Sequence, residues 1–140
     1  MTEKPSEVKL LLTGKLGRLY KEIIPALRRY PKTQKYTLAQ AIENEILLTV
    51  KLILGATYQK DKRLQRLNDI RLNLHTIMFL LRTSQETDCM SMGLYEHFAR
   101  EIDEMGKMSS SWIKAELKKE EISPRPDTNW KPLSAQSPLS

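Results

Sequence analysis

Ten cations are the residues best placed to do chemistry in this chain. Arg18, Lys21, Arg28, Arg29, Lys32 and Lys35 form one run, and Lys60, Lys62, Arg63 and Arg66 form a second. Such runs suit contacts to phosphate oxygens or to an acidic protein surface, and phosphate contacts carry no base specificity. The same charges also suit an ordinary solvated helix face. Few aromatics accompany them (Tyr20, Tyr30, Tyr36 and Tyr58), so stacking on unpaired bases is open but not indicated.

The acids, histidines and cysteine offer less. Glu43 and Glu45 are two apart, which on a helix points them to different faces. Glu101 and Glu104 can meet on one face beside Asp103, where pairing with Lys or Arg is the plain reading. A carboxylate metal bundle needs Glu-x-x-His on two helices, and here Glu96 directly precedes His97. His75 and His97 read as boundary residues with hydrogen-bond partners. The single cysteine, Cys89, excludes an internal disulfide framework and a cysteine zinc site. A Gly-rich phosphate loop, HExxH and a nucleophile elbow are all absent from the sequence. The residues indicate no catalytic site, metal or cofactor.

Charge is unevenly spread over the 140 residues. Residues 1–83 hold 16 Lys/Arg against 7 Asp/Glu, and residues 84–140 hold 7 against 10. A basic front half suggests an anionic partner, most often nucleic acid. A basic and an acidic patch on one molecule also suit self-association. No apolar run is long enough to span a bilayer and the N-terminus lacks a signal-peptide pattern. The expectation is a cytoplasmic protein that touches no membrane.

The elements that must position these residues are helices. Val8, Leu12, Leu16, Leu19, Ile23, Leu27 and Tyr30 recur every three or four residues, predicting a helix from about 6 to 29, bent at Pro25 and stopped by Pro31. Residues 32–36 read as a polar connector. Thr37 with Gln40 reads as a capping box opening a second helix through Ala56, with Leu48 and Val50 widening its buried face. Gly55 near its end marks a close contact or fraying. A third helix opens at Lys60 to Arg63 and carries Leu67, Ile70, Leu74, Ile77 and Leu81 inward. Residues 84–90 read as a loop. Ser91 reads as the cap of a fourth helix bearing Phe98, Ile102, Met105 and Trp112. Four long helices with short connectors predict an all-α, antiparallel up-down-up-down four-helix bundle over 1–121. Residues 122–140, rich in Pro and Ser, read as a flexible tail in which Trp130 is the only sticky element. In that bundle the two cation runs fall at opposite ends.

Two segments carry a family resemblance. One runs Tyr30-Pro31-Lys32-Thr33-Gln34-Lys35-Tyr36-Thr37-Leu38, then Ile42-Glu43-Asn44, to Ala56. The other is Glu104-Met105-Gly106-Lys107-Met108 with Trp112-Ile113-Lys114. Together, over about residues 10–118, they resemble the accessory variability determinant (Avd) of diversity-generating retroelements, and the related bundle proteins of rRNA intervening sequences. The resemblance implies a barrel-shaped homopentamer, non-catalytic and basic. It implies binding of retroelement RNA and of a reverse transcriptase during mutagenic, adenine-directed cDNA synthesis. Within the matched residues, Pro31, Tyr36 and Leu38 belong to the inter-helix turn, Gly106 allows close helix packing, and Trp112 is a buried or intersubunit anchor. Ser109-Ser110-Ser111 departs from the family, which usually has glycine just before the Trp. An rRNA intervening-sequence protein without a polymerase partner and a plain protein-interaction bundle stand as alternatives.

Overall fold

The computed structural model describes residues 5–131. The apolar stripe read in the first helix becomes α1 (Pro5–Arg28), with Val8, Leu12, Leu16, Leu19, Ile23, Leu27 and the following Tyr30 all buried. Three more long helices follow: α3 (Gln40–Tyr58), α4 (Arg63–Glu86) and α5 (Met92–Lys119). Each packs on its chain neighbours, and α1 closes the ring against α5, which makes an antiparallel up-down-up-down bundle. The core is one cluster drawn from all four stripes, with Phe98, Ile42, Ile46, Leu67, Leu74 and Ile102 shielded from solvent. A polar clasp ties α3 to α4: Asn73 donates from Nδ2 to the Thr49 hydroxyl at 3.1 Å and to the Glu45 carbonyl at 3.3 Å. No helix of the described residues is long and apolar enough to cross a membrane.

The first turn differs from the reading of residues 32–36 as a connector. Pro31, with φ −53° and ψ 147°, is itself the residue before a helix, and its carbonyl accepts from Gln34 N at 2.8 Å and Lys35 N at 2.9 Å. The chain is therefore already helical when it reaches Thr37, with the Pro31 carbonyl as the first backbone acceptor of the turn. One α-turn, α2 (Lys32–Gln34), passes into a π-helical turn (Lys35–Ala39) and then into α3. Thr37 therefore caps nothing; its hydroxyl donates to the Gln34 side chain at 3.1 Å, and Gln40 donates to Asn44. The wide π turn changes the helical phase so that Ala39 joins the buried stripe of α3.

The other turns are set by backbone geometry. α4 runs on through Ser84, which is fully buried and whose carbonyl accepts from Cys89 N at 2.8 Å, so the loop is only Thr87 to Met90. Asp88, at φ 61°, reverses the chain, and Asp88 N bonds the Gln85 carbonyl in a Schellman pattern. Glu121, at φ 57°, ends α5 in the same way, with Ile122 N on Leu117 O at 2.9 Å. Ser91 caps α5 as read, accepting from Leu94 N at 3.2 Å.

Past α5 the chain folds back over the α4–α5 seam through a 3-10 turn (Pro126–Thr128). Trp130 is buried there. Its ring lies on the His75 imidazole at 4.1 Å and 10°, and Nε1 donates to Asp103 Oδ1 at 3.2 Å. Gly106 makes the seat: a Cβ on it would stand 2.1 Å from the indole. The space that Gly106 leaves is thus filled by Trp130, not by a neighbouring helix. Arg71 holds the strand by donating to the Asp127 and Asn129 carbonyls. Thr128 and Trp130 are thus packed on the bundle while residues 121–127 stay exposed, and the tail reading for 132–140 lies outside the described residues.

Candidate nucleic-acid interface

The two cation runs meet different fates. Arg28, Arg29, Lys32 and Lys35 gather at the end of the bundle where α1 turns into α2, and Arg18 and Lys21 continue along α1; all six are exposed. None of them forms an ion pair among the described residues. Lys60 and Lys62 are likewise exposed at the far end, in a 3-10 turn (Lys60–Lys62).

Arg63 turns inward instead, and Arg66 is tied to a neighbouring side chain at the surface. Arg63 donates to the Ala56 carbonyl at 2.6 Å and the Thr57 carbonyl at 3.0 Å, and pairs with Glu116 at 3.1 Å. It satisfies the unpaired C-terminal carbonyls of α3 and neutralises a buried carboxylate on α5. Arg66 bonds the Gln59 side chain at 3.1 Å, and its stem lies against Gly55, where a Cβ would sit 3.3 Å away. Gly55 is therefore a close-contact position. Of the ten candidate cations, eight are exposed and without an ion pair among the described residues, Arg63 is tied into the fold, and Arg66 is bonded to the exposed Gln59.

The acids of α5 and α1 take the plain role. Lys15 bridges Glu104 and Glu101, and this pairing holds the Glu104 carboxyl below its usual range. His97 bonds Glu22 at 2.6 Å. His75, beneath Trp130, is shifted down by burial and by Arg71, with Asp103 acting the other way. No group of three or more His, Cys, Asp or Glu able to hold a metal forms among the described residues. Trp112 is buried within the chain's own fold, together with Ser109 and Ser110.

One arrangement was not anticipated from the chain. The π turn and α1 enclose a cleft of about 390 Å³ lined by Arg28, Lys35, Tyr36, Ile24, Tyr20 and Glu43. Tyr36 is 76% exposed. Tyr20 donates to Glu43 at 2.9 Å, and that bond raises the phenol pKa. The available signal was weak: Arg28 and Tyr36 flank Pro31 in sequence, but only the π turn joins them around one cleft.

A third surface is apolar. Leu47 and Leu54 on α3, and Leu72 and Phe79 on α4, are 45%, 47%, 66% and 61% exposed. Leu48, expected in the core, is also exposed because it falls opposite the Ile42–Ile46–Ile53 stripe.

Bundle topology, exposed cations without ion pairs toward both ends and exposed apolar side chains on α3 and α4 define a class of basic helical bundles. Within that class the chain belongs to the bAvd-like family, whose model matches residues 10–116. Searches of curated proteins and of solved structures return no match.

Proposed function

We propose that the protein is a non-catalytic accessory subunit of a diversity-generating retroelement. It acts as a basic scaffold that holds template RNA and the reverse transcriptase together during mutagenic cDNA synthesis. The observation that carries this reading, within the family membership, is the exposed, unpaired cluster Arg28, Arg29, Lys32 and Lys35. Lysine and arginine that pair with nothing in the subunit contribute little to its fold, and they suit phosphates through counterion release. Arg18, Lys21, Lys60 and Lys62 extend the same role. The assembly is a cytoplasmic homopentamer in which the exposed leucines of α3 and the Leu72–Phe79 flank of α4 are covered by neighbouring subunits.

Charge reversal tests the cluster. Arg28, Arg29, Lys32 and Lys35 changed together to Glu should abolish tight RNA binding while helicity and assembly persist. The wild-type affinity should fall steeply with salt, with a slope of about one per phosphate neutralised. Binding to RNA and to polymerase that survives this reversal unchanged would refute the assignment. Light scattering reads the assembly, and a stable monomer would remove the pentamer from the proposal.

A further inference from the structure

We infer that the cleft beside the π turn receives one unpaired nucleobase of a bound RNA strand, stacked on Tyr36, with the flanking phosphates on Arg28 and Lys35. This deepens the nucleic-acid reading and rests on it. The cleft, open to solvent and of about 390 Å³, lies in the range of about 300–1,000 Å³ that small-molecule sites occupy. Its chemistry is divided. The cationic side chains Arg28 and Lys35 line it together with an exposed tyrosine ring, apolar Ile24 and Leu27, and the carboxylate of Glu43.

That division decides which part of a nucleotide goes where. A phosphate beside Glu43 meets a like charge, with Tyr20 already donating to the carboxylate. A base edge beside Glu43 brings N–H donors to a carboxylate acceptor, as exocyclic amines of cytosine or adenine and the N–H face of guanine would. The phosphates are then left to Arg28 and Lys35. The aromatic ring supplies the remaining element. Tyr36 keeps 76% of its surface in water within the subunit, which an unburied ring can recover by stacking.

Duplexes are disfavoured by the same arrangement, because a paired base presents no face to a side chain. The π turn carries Lys35, Tyr36 and Ala39 of the lining, across from Tyr20, Ile24, Leu27 and Arg28 of α1.

The test compares a short single-stranded RNA of mixed sequence with the same strand in a duplex, on the full chain, by fluorescence anisotropy. Tyr36→Ala should weaken single-strand binding about tenfold, the order of one stacked base, and leave duplex binding unchanged. Tyr36→Phe should restore it, since the ring and not the hydroxyl stacks. Photocrosslinking of 4-thiouridine RNA should tag Tyr36. Circular dichroism of both variants should match the parent, because an exposed side chain is not a core element. Salt-sensitive RNA binding that is equal for single strand and duplex and indifferent to Tyr36→Ala overturns the cleft but leaves the phosphate-binding reading intact. Absence of RNA binding by the parent protein overturns both. Tyr36→Ala that impairs only polymerase capture assigns the cleft to a protein partner and overturns the base site.

Discussion

At the α1–α2 end of the bundle, Arg28, Arg29, Lys32 and Lys35 face solvent without ion pairs among the described residues; at the opposite end, Arg63 is drawn into the fold. The residue types are the same and the local sequences are similarly basic. What differs is whether the helix beside the cation has unpaired carbonyls and a carboxylate within reach. At the end of α3, Gln59 N bonds the Gly55 carbonyl, and Arg63 reaches back to the Ala56 and Thr57 carbonyls and across to Glu116 on α5. Near Pro31 the backbone supplies its own partners, Pro31 O accepting from Gln34 N and Lys35 N, and the four cations there make no side-chain bond to a carbonyl among the described residues. Clustering of charge in sequence therefore says little about function until the backbone hydrogen bonds nearby have been assigned.

The largest expected effect breaks this comparison most directly. Arg63→Ala leaves Glu116 buried with only the more distant Lys119 as partner and frees two helix-end carbonyls, so urea denaturation should show a loss of about 3 kcal/mol. Lys32→Ala and Arg28→Ala should each change stability by less than about 0.5 kcal/mol. Similar values for the two kinds of substitution would erase the distinction between structural and available cations.

A smaller effect sharpens the comparison at a third place, the Trp130 seat. Gly106→Ala puts a methyl where the indole lies and should expel the ring, at a cost of about 2 kcal/mol from lost apolar burial. The emission of Trp130, read in a Trp112→Phe background, should shift to the red. RNA binding at the α1–α2 end should not move. An unshifted spectrum would mean that the notch and the ring are not matched as described.

The smallest effect is one of pH. His75 titrates below its ordinary value chiefly because it is buried, with Arg71 adding to the shift and Asp103 opposing it. A histidine with a depressed folded-state pKa is neutral in the fold and binds protons more readily when unfolded. Its contribution is complete above the unfolded value of about 6.5 and is lost as pH falls below that value toward the folded one. Trp130 emission should therefore redden on mild acidification, and His75→Phe, which keeps a ring beneath the indole, should remove that response. A response that persists in His75→Phe would assign the titration elsewhere.

Much of the fold could be read from spacing. The α1 stripe from Val8 to Tyr30 is buried residue for residue, and Ser91 caps α5, because helical periodicity and capping are local rules. The turns were less legible. Asp88 and Glu121 adopt left-handed conformations without a glycine to signal them, and Ser84 looks like loop but is buried inside α4. Likewise Thr37 and Gln40 form a capping-box pattern that Pro31 makes redundant. The candidate site was half legible: the cations could be named from the sequence, but not that Arg63 would be taken up by the fold.

What the sequence determined by itself was the helical class, the antiparallel bundle, the two basic runs and the motifs that match the bAvd-like family. Each of these rests on residue type and on neighbours within a few positions. The tertiary structure alone decided that Arg63 serves Glu116, that Gly106 seats Trp130, and that Tyr36 shares a cleft with Arg28 and Glu43. Arg63 and Glu116 are 53 residues apart in the chain, and a pattern with a period of three or four residues carries no information about which distant side chains meet. Those meetings are settled by the phase of each helix against its neighbours, which here includes the added width of a single π turn.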